Sequence, residues 1–119
     1  MSFPRSHRLI TKAEYQYVFD QSRKINQKHL LVLFKPNQQL HARLGLIVGK
    51  RIAKNAVARN RIKRAIRESF RFHQERLKGI DLIVIARHEC DKLNNEKLRV
   101  GINQLWQKLL IQYQPALLS

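Results

Sequence analysis

An α+β sandwich is the fold class this 119-residue sequence predicts, with helices laid on one antiparallel or mixed sheet in the order α-β-β-β-α-β-α. Three observations predict it. A long basic stretch in the middle of the chain repeats its apolar residues at helical spacing. Three short apolar runs have the length and β-branching of strands. Helix-capping patterns stand at both ends of the chain, ahead of further stretches of helical period.

The elements follow in order. Thr11-Lys12-Ala13-Glu14 has the form of a capping box, and Tyr15, Val18 and Phe19 continue at helical spacing, so a first helix runs from about Lys12 to Asp20. A short extended piece at Arg23-Lys24-Ile25 supplies the first strand. Leu30-Leu31-Val32-Leu33-Phe34, stopped by Pro36, supplies the second, and Asn37-Gln38-Gln39 turns the chain toward Arg43-Leu44-Gly45-Leu46-Ile47-Val48. The basic helix then spans about Ala56 to Phe72 or slightly beyond, with Ile62, Ile66 and Phe70 at i, i+4 and i+8. Gly79 closes the link into Asp81-Leu82-Ile83-Val84-Ile85-Ala86, a run suited to a strand buried on both faces. Asn94 or Asn95 caps a last helix that carries Leu98, Ile102, Leu105, Trp106 and Leu109 on one stripe, weakened slightly by Gly101 and ended before Pro115.

Charge restricts the partner. The chain has 24 Lys and Arg against 8 Asp and Glu, a net charge of +16. Nine of those bases fall between Lys50 and Arg71, where Glu68 is the one acid. On a helical wheel, Asn60, Arg64, Arg67 and Arg71 point away from the apolar stripe, with Arg61 and Lys63 on its flanks. Charge runs ordinarily become solvated faces, but such faces use i,i+4 acidic partners, and here Glu68 alone, four residues after Arg64, stands against the run of bases. Nucleic acid is the first candidate partner, through counterion release, and an anionic membrane surface the second. No run approaches the ~20 apolar residues of a membrane span, and the N-terminus lacks a signal core, so a cytoplasmic location is expected.

Catalytic chemistry finds little material here. At 44% apolar content the chain predicts one domain over residues 1–119, with its ordered core across about 5–112. The single cysteine, Cys90, excludes an internal disulfide, and His88 with Cys90 is too few ligands for zinc. The acids are scattered, only Glu89 and Asp91 lying close together, which argues against a two-metal nuclease. No metal site is expected in the protein. Tyr15 and Phe19, one turn apart, read as core on spacing alone.

The string Arg59-Asn60-Arg61-Ile62-Lys63-Arg64, followed by Arg67-Glu68-Ser69-Phe70-Arg71, resembles the signature helix of the bacterial ribonuclease P protein component family. Arg8-Leu9, Tyr15, Phe19, Gly45-Leu46, Lys50-Arg51, the Asp81 to Ala86 run and Leu105-Trp106 extend the resemblance from about Phe3 to Leu110. One departure is the absence of glycine in Ile52-Ala53-Lys54-Asn55, where several members of the family carry one.

The resemblance implies a fold seen in some ribosomal proteins, with a left-handed βαβ crossover, where the general rule favours the right-handed one. It implies the protein subunit of a ribonucleoprotein that removes the 5′ leader from precursor tRNA, with the chemistry carried by the RNA subunit and no catalytic residues in the protein. By the same resemblance, Arg59, Asn60, Arg61, Lys63, Arg64 and Arg67 meet the catalytic RNA, and Lys50 and Arg51 hold leader phosphates. Tyr15 and Phe19 then border a cleft for the single-stranded leader, Tyr15 as a contact and Phe19 shared with the core. The protein itself would bind no cofactor, the RNA subunit would require Mg2+, and neither a membrane nor a protein partner would be needed. A stand-alone binding module and a protein nuclease are the competing readings; the first leaves Arg8-Leu9, Tyr15 and Phe19 unexplained, and the second lacks clustered carboxylates, paired histidines and a P-loop.

Overall fold

The computed structural model describes residues 7–9, 11–20 and 22–113; Phe3 and Pro115 lie outside them. Its elements are α1 (Lys12–Phe19), β1 (Arg23–Asn26), β2 (Leu30–Pro36), β3 (Arg43–Ile47), α2 (Ala56–His73), β4 (Ile80–Ala86) and α3 (Asn95–Tyr113), with a 3-10 turn at Cys90–Lys92. The expected order is present, and only the 3-10 turn was not anticipated. The sheet is mixed, in the order β1-β2-β4-β3. β1 and β4 each pair antiparallel with β2, whereas β3 runs parallel to β4. β4 therefore separates β2 from β3, and the turn after Pro36 closes no hairpin. Across that turn Gln38 takes a positive φ of 58°, and Gly79, at φ 78°, accepts a backbone hydrogen bond from Asn37.

The two faces of the sheet are unequal. One carries Leu30, Val32, Phe34, Leu82, Val84 and Leu44 into the main core under α2 and α3. Ile62, Ile66 and Phe70 of α2 and Leu98, Ile102, Leu105, Trp106 and Leu109 of α3 are all fully buried there. Each such side chain contributes about 1.5–3 kcal/mol relative to remaining in water. The other face carries Leu33, Ile83, Ile85 and Ile47, and among the described residues the eight-residue α1 packs on it through Val18 and Tyr15, together with Leu9 ahead of that helix. β4 is buried on both faces because it is the central strand under both layers, as its apolar run requires.

Caps and ion pairs fix the helices. Thr11 and Glu14 form the reciprocal capping box of α1. Asn55 caps α2 by accepting from Ala58 N at 2.7 Å, and Asn94 caps α3 by accepting from Lys97 N at 2.8 Å. Glu14 also meets Arg43, whose Nε donates to buried Asp81 at 2.8 Å, and Asn37 donates to the same carboxylate at 2.7 Å. This chain of polar contacts locks α1 to β3 and β4. The hydrogen bond to Asp81 raises the Arg43 pKa above its usual value, so the guanidinium stays charged. At the far end of α1, Lys35 Nζ donates to the Tyr17 and Asp20 carbonyls and lies 3.9 Å from the Tyr17 ring centroid. A cation there complements the helix C-terminus.

Candidate nucleic-acid interface

The basic helix presents its charge unevenly. Asn60, Arg64 and Arg67 are exposed, while Arg59, Arg61 and Lys63 are partly covered. Arg59 Nη1 donates to the Ala53 and Lys54 carbonyls at 3.0 and 2.9 Å, folding back over the start of α2. Arg61 reaches the other way, donating to Asn95 Oδ1 at 3.0 Å and to the Asp91 carbonyl at 2.9 Å. Two of the predicted contact residues thus also hold the structure together, whereas Asn60, Arg64 and Arg67 turn outward from the helix.

Lys50 and Arg51 are exposed in the turn between β3 and α2. Ile52 N and Ala53 N both donate to the Gly49 carbonyl, and Ala53 is buried. The turn therefore closes on Gly49 without needing a glycine at residues 52–55. It carries the two bases from the end of β3 to the start of α2.

On the α1 side, strand register brings Asn26, Leu31, Ile85 and Ile47 into one row across the sheet. The row beside it is Lys24, Leu33, Ile83 and Gly45. Ile83 is fully buried, but Leu31, Leu33, Ile85 and Ile47 remain half-buried beside α1. Together these four residues make a half-open apolar floor on that face. Sequence inspection missed Ile47 and Ile85 because the face of a strand depends on where α1 docks.

Tyr15 and Phe19 flank this half-open floor with their rings 6.5 Å apart. Tyr15 is half-buried, and its hydroxyl accepts from Leu46 N at 3.1 Å. Its ring lies so close over Gly45 that a Cβ there would come within 2.9 Å of Cζ. Phe19 is 42% exposed. Tyr15 is thus anchored to β3, and Phe19 offers the more open ring.

The acids need one correction. Read from sequence they are scattered, yet Arg43 gathers Glu14 and Asp81 onto a single guanidinium. Both carboxylates are occupied in holding α1 on the sheet. Cys90 is fully buried, and desolvation pushes its thiol up to about 11, so it stays neutral at physiological pH. Among the described residues no group of three or more His, Cys, Asp or Glu side chains is placed to hold a metal, and no helix is long and apolar enough to cross a membrane.

A basic helix face and a half-open apolar floor on one small α+β domain define the class of compact RNA-binding protein. Comparison with known proteins narrows this. The family model Ribonuclease P matches residues 3–110. The ribonuclease P protein component of Pseudomonas aeruginosa is 47% identical over 109 residues, covering 91% of this chain and 81% of that protein. Its counterpart in Vibrio cholerae is 44% identical over 108 residues, covering 91% and 92%. The solved structure of the Staphylococcus aureus RNase P protein aligns with a TM-score of 0.81 at 30% identity, covering 87% of this chain and 94% of that one. The chain belongs to the ribonuclease P protein component family.

Proposed function

We propose that this chain works as the protein subunit of ribonuclease P by joining two RNA surfaces, leaving the chemistry of 5′-leader removal to the RNA subunit and its Mg2+. The exposed face of α2, with Asn60, Arg64 and Arg67 and the partly covered Lys63 beside them, meets the RNA subunit through phosphates and 2′-hydroxyls. Arg59 and Arg61 add their remaining donors at its two edges. The floor beside α1 takes the single-stranded leader of precursor tRNA, with Phe19 and the open part of Tyr15 as stacking faces and Lys50 and Arg51 on its phosphates. The observation that carries this reading is the presence of two chemically different surfaces on one domain. One is cationic and suits a folded polyanion. The other is apolar, edged by aromatics, and suits unstacked bases.

The assignment of chemistry to the RNA has a physical basis in the acids. Glu14 and Asp81, the two carboxylates that the fold brings together, are both bound to Arg43. The protein's contribution is then positional: it neutralises phosphate repulsion between two RNAs and holds the leader. The action is expected in the cytoplasm, with no protein partner required.

Leader binding is tested by substitution at the floor. Phe19→Ala is expected to weaken binding of precursor tRNA by ~1–3 kcal/mol through lost stacking, with the melting temperature nearly unchanged. Mature tRNA, which has no leader, is expected to bind the variant holoenzyme as it binds the wild type. Tyr15→Ala is expected to lower stability as well, by about 2–3 kcal/mol, less than the loss of a fully buried aromatic. Equal losses for precursor and mature tRNA in Phe19→Ala would remove the leader from this floor.

A further inference from the structure

Between α2 and α3 runs a groove of about 830 Å3 that joins the basic face at one end and an exposed aromatic at the other. Asn60, Arg61 and Arg64 line its α2 side, Asn95 and Arg99 its α3 side, and Glu68 is the acid among its walls. Farther along lie Ser69, Phe72, His73 and Asn103. Phe72 is 87% exposed, so core packing does not explain a phenyl ring at this position.

The polar groups at that end are directional. Trp106 Nε1 can only donate, and it lies 2.8 Å from Ser69 Oγ. The Ser69 hydroxyl, having accepted, donates to Asn103 Oδ1 at 3.0 Å. That bond fixes the Asn103 carbonyl on Ser69 and leaves its amide NH2 with no acceptor among the described residues. His73 Nδ1 is likewise held at 2.8 Å from the Ser69 carbonyl, which makes it the donor and sets Nε2 as the remaining hydrogen-bonding atom.

We propose that this groove seats one unpaired nucleotide of the RNA subunit, its base stacked on Phe72 and hydrogen-bonded by the Asn103 amide, its phosphates met by Arg64 and Arg99. A duplex backbone would use the guanidinium groups but not the exposed ring or the oriented amide. An unstacked base uses all three, because it presents a π-face and polar edges at once. Three guanidinium groups against one carboxylate favour an anionic occupant over an acid-poor peptide. The assignment rests on α2 being the surface that meets the RNA subunit, and it adds α3 to that surface.

The test is binding of the full chain to its cognate ribonuclease P RNA, together with chemical probing of unpaired bases in the complex. Phe72→Ala is expected to weaken binding roughly 5- to 150-fold, the range for loss of one stacked base. Its salt dependence should match the wild type, and one protected base should become reactive. Phe72→Trp should restore both affinity and protection, while Arg99→Ala should make the salt dependence shallower. A thermal melt of Phe72→Ala should match the wild type, and a lowered melt without rescue by Trp would mark a structural role and overturn the proposal. Wild-type affinity with unchanged protections in Phe72→Ala would also overturn it, leaving the groove to a protein segment. Failure of the wild-type chain to bind the RNA would instead sink the reading of α2 itself.

Discussion

Replacing Asp81 by Ala is expected to lower the free energy of unfolding by ~3–5 kcal/mol, the cost of leaving a buried charge without its partner. Asp81 is fully buried and takes hydrogen bonds from Arg43 and Asn37, while Arg43 goes on to Glu14 in the capping box of α1. The loss therefore has a location: α1 should loosen from β3 and β4, and the floor beside Tyr15 should lose its wall. Chemical denaturation measures the stability, and amide hydrogen exchange across α1 measures the loosening. The double change Arg43→Met with Asp81→Leu should cost less than Asp81→Ala alone, since it leaves no buried charge unpaired; Glu14, which loses Arg43, is part-exposed and keeps its capping-box bond to Thr11 N. A loss below ~1 kcal/mol in the single variant would mean that Arg43 is satisfied by Glu14 and solvent.

The second large effect is expected on α2. Arg59 and Arg61 hold backbone carbonyls, so their removal mixes stability with binding. The cleaner set is Lys63, Arg64 and Arg67, changed together to Ala. At ~1 kcal/mol for each lost contact, binding to the RNA subunit should weaken on the order of 10²-fold. The slope of log K against log salt should become shallower by roughly 2–3, from roughly 0.7–0.9 for each phosphate contact. Lys63→Glu should do more harm than Lys63→Ala, because repulsion is added to the loss. Unchanged affinity and slope in the triple variant would place the RNA interface elsewhere.

Local periodicity made much of this fold legible. Ile62, Ile66 and Phe70 announced the buried side of α2, and all three are fully buried. The Thr11–Glu14 capping box and the cap at Asn94 or Asn95 depend on contacts within one turn, so a short window of sequence contains them, and the structure selects Asn94; the Asn55 cap of α2 is equally local but was not singled out. Contacts set by strand register were not legible. Arg43 and Asp81 meet only because β3 runs parallel beside β4, and nothing local distinguishes that carboxylate from the other acids. The same holds for Gly45, whose missing side chain admits the Tyr15 ring. The basic residues were legible as a set but not one by one. The wheel could not show that Arg59 turns back to the helix start or that Arg61 clamps the turn before α3. The same wheel sets Phe72 off the apolar stripe; what it could not show is that α3 places Arg99 and Asn103 in the same groove.

The central claim is that this chain is a binding subunit whose catalytic partner is RNA. The most direct test is cleavage of a precursor tRNA by the purified protein alone, by the RNA subunit alone, and by the two together, at near-physiological Mg2+ and salt. The predicted result is no cleavage by the protein, weak cleavage by the RNA, and efficient release of the 5′ leader by the pair. Leader release by the protein alone, surviving ribonuclease treatment of the preparation, would contradict it.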